Sequence, residues 1–183
     1  KKNPHLIEES KIHIIYNGLD LERYDALKTD PARFSRESEI VLGTAGRLAP
    51  QKNQKFLIDV ARILKHRRID FKLLIAGEGH LHDALKRYAM DSGVEEEIVF
   101  VGFVQNIKEL MESIDIFVLS SAWEGFGYVI VEAMASRKPV VSLNNSNEHE
   151  IIENGGTGFL IEGSSAETFA DKIGFFIDHK SQI

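Results

Sequence analysis

The sequence predicts an α/β fold, a parallel β-sheet with helices packed on both faces. Two observations carry that expectation. Short runs rich in Val, Ile and Leu alternate almost throughout with stretches whose apolar residues recur at helical spacing. The strand candidates are apolar, as strands covered on both faces are. A sheet of this kind takes its ligands at the carboxyl ends of the strands, where loops meet helix N-termini. The residues of chemical interest fall at such places.

In chain order, Ile12–Tyr16 reads as a strand closed by the turn pair Asn17-Gly18. Residues Asp20–Ser38 lack a clear pattern and read as loop with a short helix. Glu39–Gly46 is the next strand and Gln51–His66 a helix. There Phe56, Leu57, Val60, Ala61, Ile63 and Leu64 follow the 3.6-residue period, while Lys55, Asp59, Arg62 and Lys65 take the other face. Strand Phe71–Ala76, helix Leu81–Met90, strand Ile98–Val101, helix Ile107–Ser113 and strand Ile116–Ser120 follow. A helix over Gly127–Ser136 and strand Pro139–Leu143 lead to a short helix at Glu148–Glu153, strand Gly158–Ile161 and a helix opening near Ser165. For that last start, Ser164 with Glu167 makes the better capping pair and Ser165 with Thr168 the weaker one.

At 183 residues the chain suits one domain, and a hydrophobic fraction of 43% provides for a core. The net charge of −6 argues against nucleic acid as the main partner, so any anion must be captured locally. The chain contains no cysteine, which excludes disulfides and thiolate metal sites and suits the cytoplasm. No stretch approaches the roughly 20 apolar residues that cross a bilayer, and no signal peptide is visible, while peripheral membrane contact stays open. The start on Lys1-Lys2-Asn3-Pro4 without Met reads as a portion of a longer protein, with a processed mature start as the alternative.

Four constellations can carry chemistry. Gly43-Thr44-Ala45-Gly46-Arg47-Leu48 leaves a strand, and Lys52 follows five residues after Arg47. Arg47 can fork two donors onto a phosphate and Lys52 can add a mobile charge, although two surface cations at a strand end explain them as well. Ala76-Gly77-Glu78-Gly79 opens like a dinucleotide fingerprint, but His82 stands where its third glycine belongs, and an ordinary turn accounts for it equally. Phe100-Val101-Gly102-Phe103-Val104 ends a strand at a glycine, which lets a flat ring approach so that the Val104 backbone can read a base edge. A buried strand end is the plainer alternative.

The strongest pattern is Glu124-Gly125-Phe126-Gly127-Tyr128-Val129-Ile130-Val131-Glu132-Ala133-Met134-Ala135. Its glycines free backbone N–H groups between a strand end and a helix start, a setting that favours an anion or sugar hydroxyls. Glu132 falls among apolar neighbours, where a carboxylate costs several kcal/mol unless partners satisfy it, as two ribose hydroxyls, a backbone donor or an Arg would. Trp123 reads as a core residue, with a place on the wall of a sugar pocket as the alternative. No Asp-x-Asp occurs, and the histidines, His80 and His82 included, show no metal-binding spacing, so no metal or other cofactor is expected.

Taken together, these residues resemble the C-terminal, donor-binding half of glycosyltransferase family 4 (group 1), retaining enzymes of the GT-B fold, whose halves are Rossmann-like sheets. The resemblance runs from Ile12 to Ile173. It includes Ile14-Ile15-Tyr16-Asn17-Gly18-Leu19-Asp20, Gly46-Arg47-Leu48 with Lys52, Gly77-Glu78-Gly79, Phe100-Val101-Gly102 and the Glu124 to Glu132 signature. It continues through Ala133-Met134-Ala135, Lys138-Pro139-Val140-Val141, Glu150-Ile151-Ile152 and Gly156-Thr157-Gly158-Phe159-Leu160. It implies that residues 1–183 are one nucleotide-sugar-binding domain, and that an N-terminal domain outside this chain binds a saccharide or lipid-linked acceptor. It implies a UDP- or GDP-sugar donor and metal-independent chemistry in polysaccharide assembly, in the cytoplasm or at the inner face of the membrane.

By position, the resemblance gives Arg47 and Lys52 the diphosphate, Glu132 the ribose and the Val104 backbone the base. Gly77 and Gly79 belong to the nucleotide loop. Glu124 meets the sugar, as hydroxyl partner, charge stabiliser or nucleophile, with the amides of Phe126, Gly127 and Tyr128 close by. Two departures stand out. Arg137 replaces a helix-ending glycine, so the left-handed cap is expected at another residue. Asn144-Asn145-Ser146-Asn147 replaces a glycine pair beside the sugar, where Asn tolerates the left-handed backbone and so can preserve the loop, with a different donor-sugar preference open. The alternatives are a sugar-nucleotide 2-epimerase of the same architecture and a binding module without turnover.

Overall fold

The computed structural model describes residues 11–13, 15–30, 34 and 40–179. Six strands form one sheet: β1 (Ile40–Ala45), β2 (Phe71–Ala76), β3 (Ile98–Gly102), β4 (Ile116–Leu119), β5 (Val140–Leu143) and β6 (Gly158–Ile161). Every pairing is parallel and the order is β3-β2-β1-β4-β5-β6. The helices are α1 (Leu21–Asp25), α2 (Gln54–His66), α3 (His82–Asp91), α4 (Ile107–Ser113), α5 (Tyr128–Ala135) and α6 (Ala166–Asp178). The expected α/β class, a Rossmann-like sheet with helices on both faces, is what the chain forms.

Strand alternation splits the core into two layers. Leu42, Leu73, Ile75, Ile116, Val118 and Val141 pack on one side with apolar residues of α2, α3 and α6. Val41, Leu74, Phe117, Leu119 and Val140 face the other way, among Leu110 and Met111 of α4 and Ile130 and Ala133 of α5. Because both faces are covered, the strands need apolar residues at every position, which is the pattern read in the sequence. Phe117 is completely buried, and truncating a ring so placed typically costs about 3–5 kcal/mol.

Several expectations need correction. No strand forms over the described residues of Ile12–Tyr16, where Ile15 is 90% exposed and Tyr16 79%. Strand composition makes a strand only where the run pairs with a neighbour, and the described residues of this run pair with neither edge strand, β3 or β6. Ile14 and Glu39 lie outside the described residues. The helix expected from Gln51 starts at Gln54, because Asn53 takes a left-handed backbone (φ 48°) after a 3-10 turn over Pro50–Lys52. Lys52 therefore sits in a turn rather than on the helix. The Glu148–Glu153 helix is a single 3-10 turn, Glu148–Glu150. The cap of α6 is Ser165, whose hydroxyl accepts from the Thr168 N–H, and not Ser164.

Arg137 is the left-handed residue after α5 (φ 57°), contrary to the expectation that another residue would take that role. Its N–H donates to Met134 O and the Lys138 N–H to Ala133 O, the two bonds of a Schellman closure, which hold a conformation that a side chain ordinarily avoids. Asn144, Asn145, Ser146 and Asn147 do not use left-handed backbone, since Asn53, Arg68 and Arg137 are the non-glycine residues at positive φ among those described. Side-chain hydrogen bonds hold that loop instead.

Candidate functional site

The chain turns back across the sheet between β1 and β4, so the loops leaving these two neighbouring strands open a crevice at their carboxyl ends. Hydrogen bonds sew the two loops together. The Ala122 N–H donates to Gln51 O (2.7 Å), the Gln51 side-chain amide to Trp123 O (3.0 Å), and the Ser120 hydroxyl reaches Lys52 O and Asn53 O (2.9 and 3.0 Å). Across this seam Lys52 Nζ donates to Glu124 Oε1 at 2.5 Å, and the Ser121 hydroxyl donates to the same oxygen at 2.5 Å. The pair is largely sheltered, with the Lys52 side chain 18% exposed and that of Glu124 9%. A Cβ at Gly46 would sit 2.9 Å from Lys52 Cε, so the glycine clears the path of the lysine stem.

The loop after β2 is pressed against the loop after β1. A Cβ at Gly77 would stand 2.0 Å from Gly46 O, and one at Gly79 would stand 2.3 Å from Leu48 O. With Gly77 also at φ 129°, close backbone approach explains both glycines without a dinucleotide fingerprint. The Leu48 N–H donates to Glu78 O (2.9 Å) and the Gly77 N–H to Gly102 O (2.7 Å). The result is a cavity of about 290 Å³ walled by Gly46, Arg47, Gly77, Phe103, Val104 and Ile107. Arg47 is exposed at its mouth, and its carbonyl is held by the buried Gln54 side-chain amide (3.0 Å).

Ile107 also borders a second cavity of about 610 Å³, which contains Glu132, Arg23, Tyr24, Gln105 and Asn106 in its wall. Helix α1 forms one side of it. The Tyr24 hydroxyl bonds Glu132 O (3.2 Å) and Ser136 Oγ (2.8 Å), and the Asn106 side-chain amide donates to Lys28 O (2.9 Å). Burial holds the Glu132 carboxyl above the ordinary carboxylate range, and desolvation is the cause. Glu124 and Glu132, which frame the signature, thus stand apart, Glu124 at the β1/β4 seam and Glu132 in the wall of the second cavity. Between them Gly127 takes φ 78° at the start of α5, and the Phe126 and Tyr128 rings meet edge to face with centroids 4.9 Å apart.

Arg47, Lys52, Gly77, Val104, Glu124 and Glu132 all lie at this rim. Gly79 contributes by packing on Leu48 rather than by lining either cavity. Trp123 is 58% exposed and so is not the core residue expected of it. The sequence does not single out Gln51 and Tyr24, whose partners are distant in the chain, or Gln54 and Ser121, whose partners are near but whose residue types carry no motif. Among the described residues, no group of three or more His, Asp or Glu side chains is arranged to hold a metal ion.

The family model for glycosyl transferases group 1 matches residues 27–182. The chain belongs to that family. Similar proteins include EpsD of Bacillus subtilis strain 168, 36% identical over 138 residues, which are 75% of this chain and 36% of EpsD. An Escherichia coli UDP-Gal:alpha-D-GlcNAc-diphosphoundecaprenol alpha-1,3-galactosyltransferase is 30% identical over 183 residues, covering 95% of this chain and 47% of that enzyme. Among solved structures, Anabaena HepE in complex with UDP and glucose superimposes with a TM-score of 0.80 at 30% identity, over 92% of this chain and 48% of HepE. The chain thus spans between 36% and 47% of these two curated relatives. Its sheet is one half of the GT-B fold of this family of glycosyltransferases. No helix among the described residues is long and apolar enough to cross a membrane.

Proposed function

We propose that residues 1–183 form the donor-binding, C-terminal half of a retaining glycosyltransferase that moves a sugar from a nucleoside diphosphate to a saccharide or lipid-linked acceptor. The observation that carries this reading is the Lys52–Glu124 pair, which spans the β1/β4 crevice beside the cavity that Arg47 and Val104 line. The Val104 backbone meets the base, the Glu132 carboxylate the ribose hydroxyls, and Arg47 and Lys52 the diphosphate. As the bond between the anomeric carbon and the diphosphate oxygen breaks, negative charge grows on the leaving group. Fixed cations aimed at such charge can contribute about 3–4 kcal/mol each to lowering a barrier.

Glu124 acts as an electrostatic and hydroxyl partner of the sugar. Its Oε1 already accepts from both Lys52 and Ser121, which weakens it as a nucleophile. The amides of Phe126, Gly127 and Tyr128 lie alongside. Arg47 and Lys52 take the part a divalent ion would otherwise play, so transfer is metal-independent. UDP in the HepE complex and undecaprenol-linked acceptors in the name of the E. coli relative support a UDP-sugar donor and a lipid-linked or polysaccharide product. A lipid-linked acceptor would hold the reaction at a membrane surface, and the reading places the enzyme on the cytoplasmic side.

The test is a donor screen on the complete protein with and without a chelator, followed by NMR of the product. Retention of anomeric configuration, unchanged by chelation, is expected. An inverted product would overturn the mechanism. Release of free UDP with an epimer and no transfer would favour the epimerase, and donor binding without turnover the binding module.

A further inference from the structure

We propose that Asn145, Ser146 and Asn147 are positioning residues that set the Glu124 loop for the sugar portion of the donor. The inference rests on the donor-binding reading above. Their three side chains donate to three carbonyls of the facing loop: Asn145 Nδ2 to Ser121 O (3.0 Å), Ser146 Oγ to Glu124 O (3.0 Å) and Asn147 Nδ2 to Gly125 O (3.1 Å). Packing does not hold that loop at its tip, because a Cβ at Gly125 would meet nothing within 4 Å. Hydrogen bonds therefore fix its course.

The donating loop is itself anchored. The Ser146 N–H donates to Glu148 Oε2 (2.8 Å), a carboxylate on a side chain only 1% exposed, and Asn144 ties the other end to Glu162 (2.6 Å) and to Ile161 O (2.9 Å) beside β6. Glu124 is consequently located twice, through its carboxylate by Lys52 and Ser121 and through its main chain by Ser146. Asn145 and Asn147 remain exposed at the rim, at the cost of ordering two polar side chains in water. A loop needing only solubility would not place three consecutive donors on three carbonyls of one facing loop. None of the three lines the cavities of Arg47, Val104 or Glu132. Nucleoside diphosphate binding and sugar recognition should therefore separate when these donors are removed.

The experiment is calorimetry on this chain with UDP and with whichever of UDP-glucose, UDP-galactose, UDP-N-acetylglucosamine or GDP-mannose binds the wild type most tightly, with GDP replacing UDP in the last case. In the variant Asn145→Ala/Ser146→Ala/Asn147→Ala, affinity for the nucleoside diphosphate should stay within about twofold, while affinity for the sugar nucleotide falls about tenfold. Ser146→Ala alone should show about a threefold fall in the same ratio, and Ser146→Thr, which keeps the hydroxyl, should restore it. This pair keeps the test decisive if the triple variant does not fold. Equal losses for both ligands would mark a merely structural loop, and no loss for either would remove the role altogether. Both overturn the inference while wild-type binding leaves the donor reading standing. Failure of the wild type to bind any of these ligands would overturn both.

Discussion

Glu124 and Glu132 belong to the same loop–helix segment, yet their surroundings are opposite. Glu124 sits in a lattice of donors, with Lys52 and Ser121 on its carboxylate and Ser146 on its carbonyl. Glu132 borders a cavity of about 610 Å³, and burial raises its carboxyl pKa, with no hydrogen bond or ion pair to its carboxylate among the described residues. The Glu124 region is held together by the chain's own groups, whereas under the proposed reading the Glu132 carboxylate awaits a ligand. Preorganised polarity suits a group that must meet developing charge, because no reorganisation is needed at the moment of reaction. An undersatisfied carboxylate suits a group whose binding energy is to be released when two hydroxyls reach it.

Breaking the prebuilt side should have the largest effect. Arg47→Ala/Lys52→Ala should weaken UDP binding by about a hundredfold in calorimetry, since two charge-assisted contacts go and Glu124 is left without its cation. Equal affinity in both proteins would remove the clamp. On the other side, Glu132→Gln should weaken UDP binding about tenfold with the fold retained, leaving a neutral acceptor where a charged one stood. The sign of its pH dependence follows from the raised pKa. Ribose hydroxyls favour the charged carboxylate, and burial in the free chain keeps the proton on to higher pH than usual. Binding therefore expels that proton, so affinity should fall as the solution is acidified from neutrality. Glu132→Gln should flatten that fall, and an identical pH profile in wild type and variant would leave Glu132 without a titrating role.

Two smaller changes sharpen the contrast through stability alone. Tyr24→Phe removes the hydroxyl that bonds Glu132 O and Ser136 Oγ, and should lower unfolding free energy by about 1 kcal/mol in a denaturant titration. No change would mean that α1 does not brace the cavity. Arg137→Gly should raise stability by up to about 1 kcal/mol, because glycine accepts φ 57° without the side-chain penalty. A loss would show that the Arg137 side chain contributes more than its backbone costs.

The sheet was legible because a parallel strand covered on both faces is apolar nearly throughout, which leaves runs such as Ile116–Leu119 easy to see. The residues at its rim were legible for a related reason: glycines and charges there interrupt an otherwise apolar pattern. What stayed hidden depends on contacts between distant segments. Ile12–Tyr16 has strand composition, but composition does not reveal whether the run reaches a sheet edge. Nothing near Gln51 or Tyr24 signals that each bonds a group far along the chain. The Asn-rich loop stands out in the sequence as a departure, but not the way it is held, because its side chains bond the facing loop without left-handed backbone.

The most direct test is a crystal structure of this chain soaked with UDP. The diphosphate should lie within hydrogen-bond reach of Arg47 and Lys52, with the base at Val104, the ribose at Glu132 and Lys52 still touching Glu124. A nucleotide bound away from the β1/β4 crevice, or one whose phosphates point away from both cations, would contradict the account.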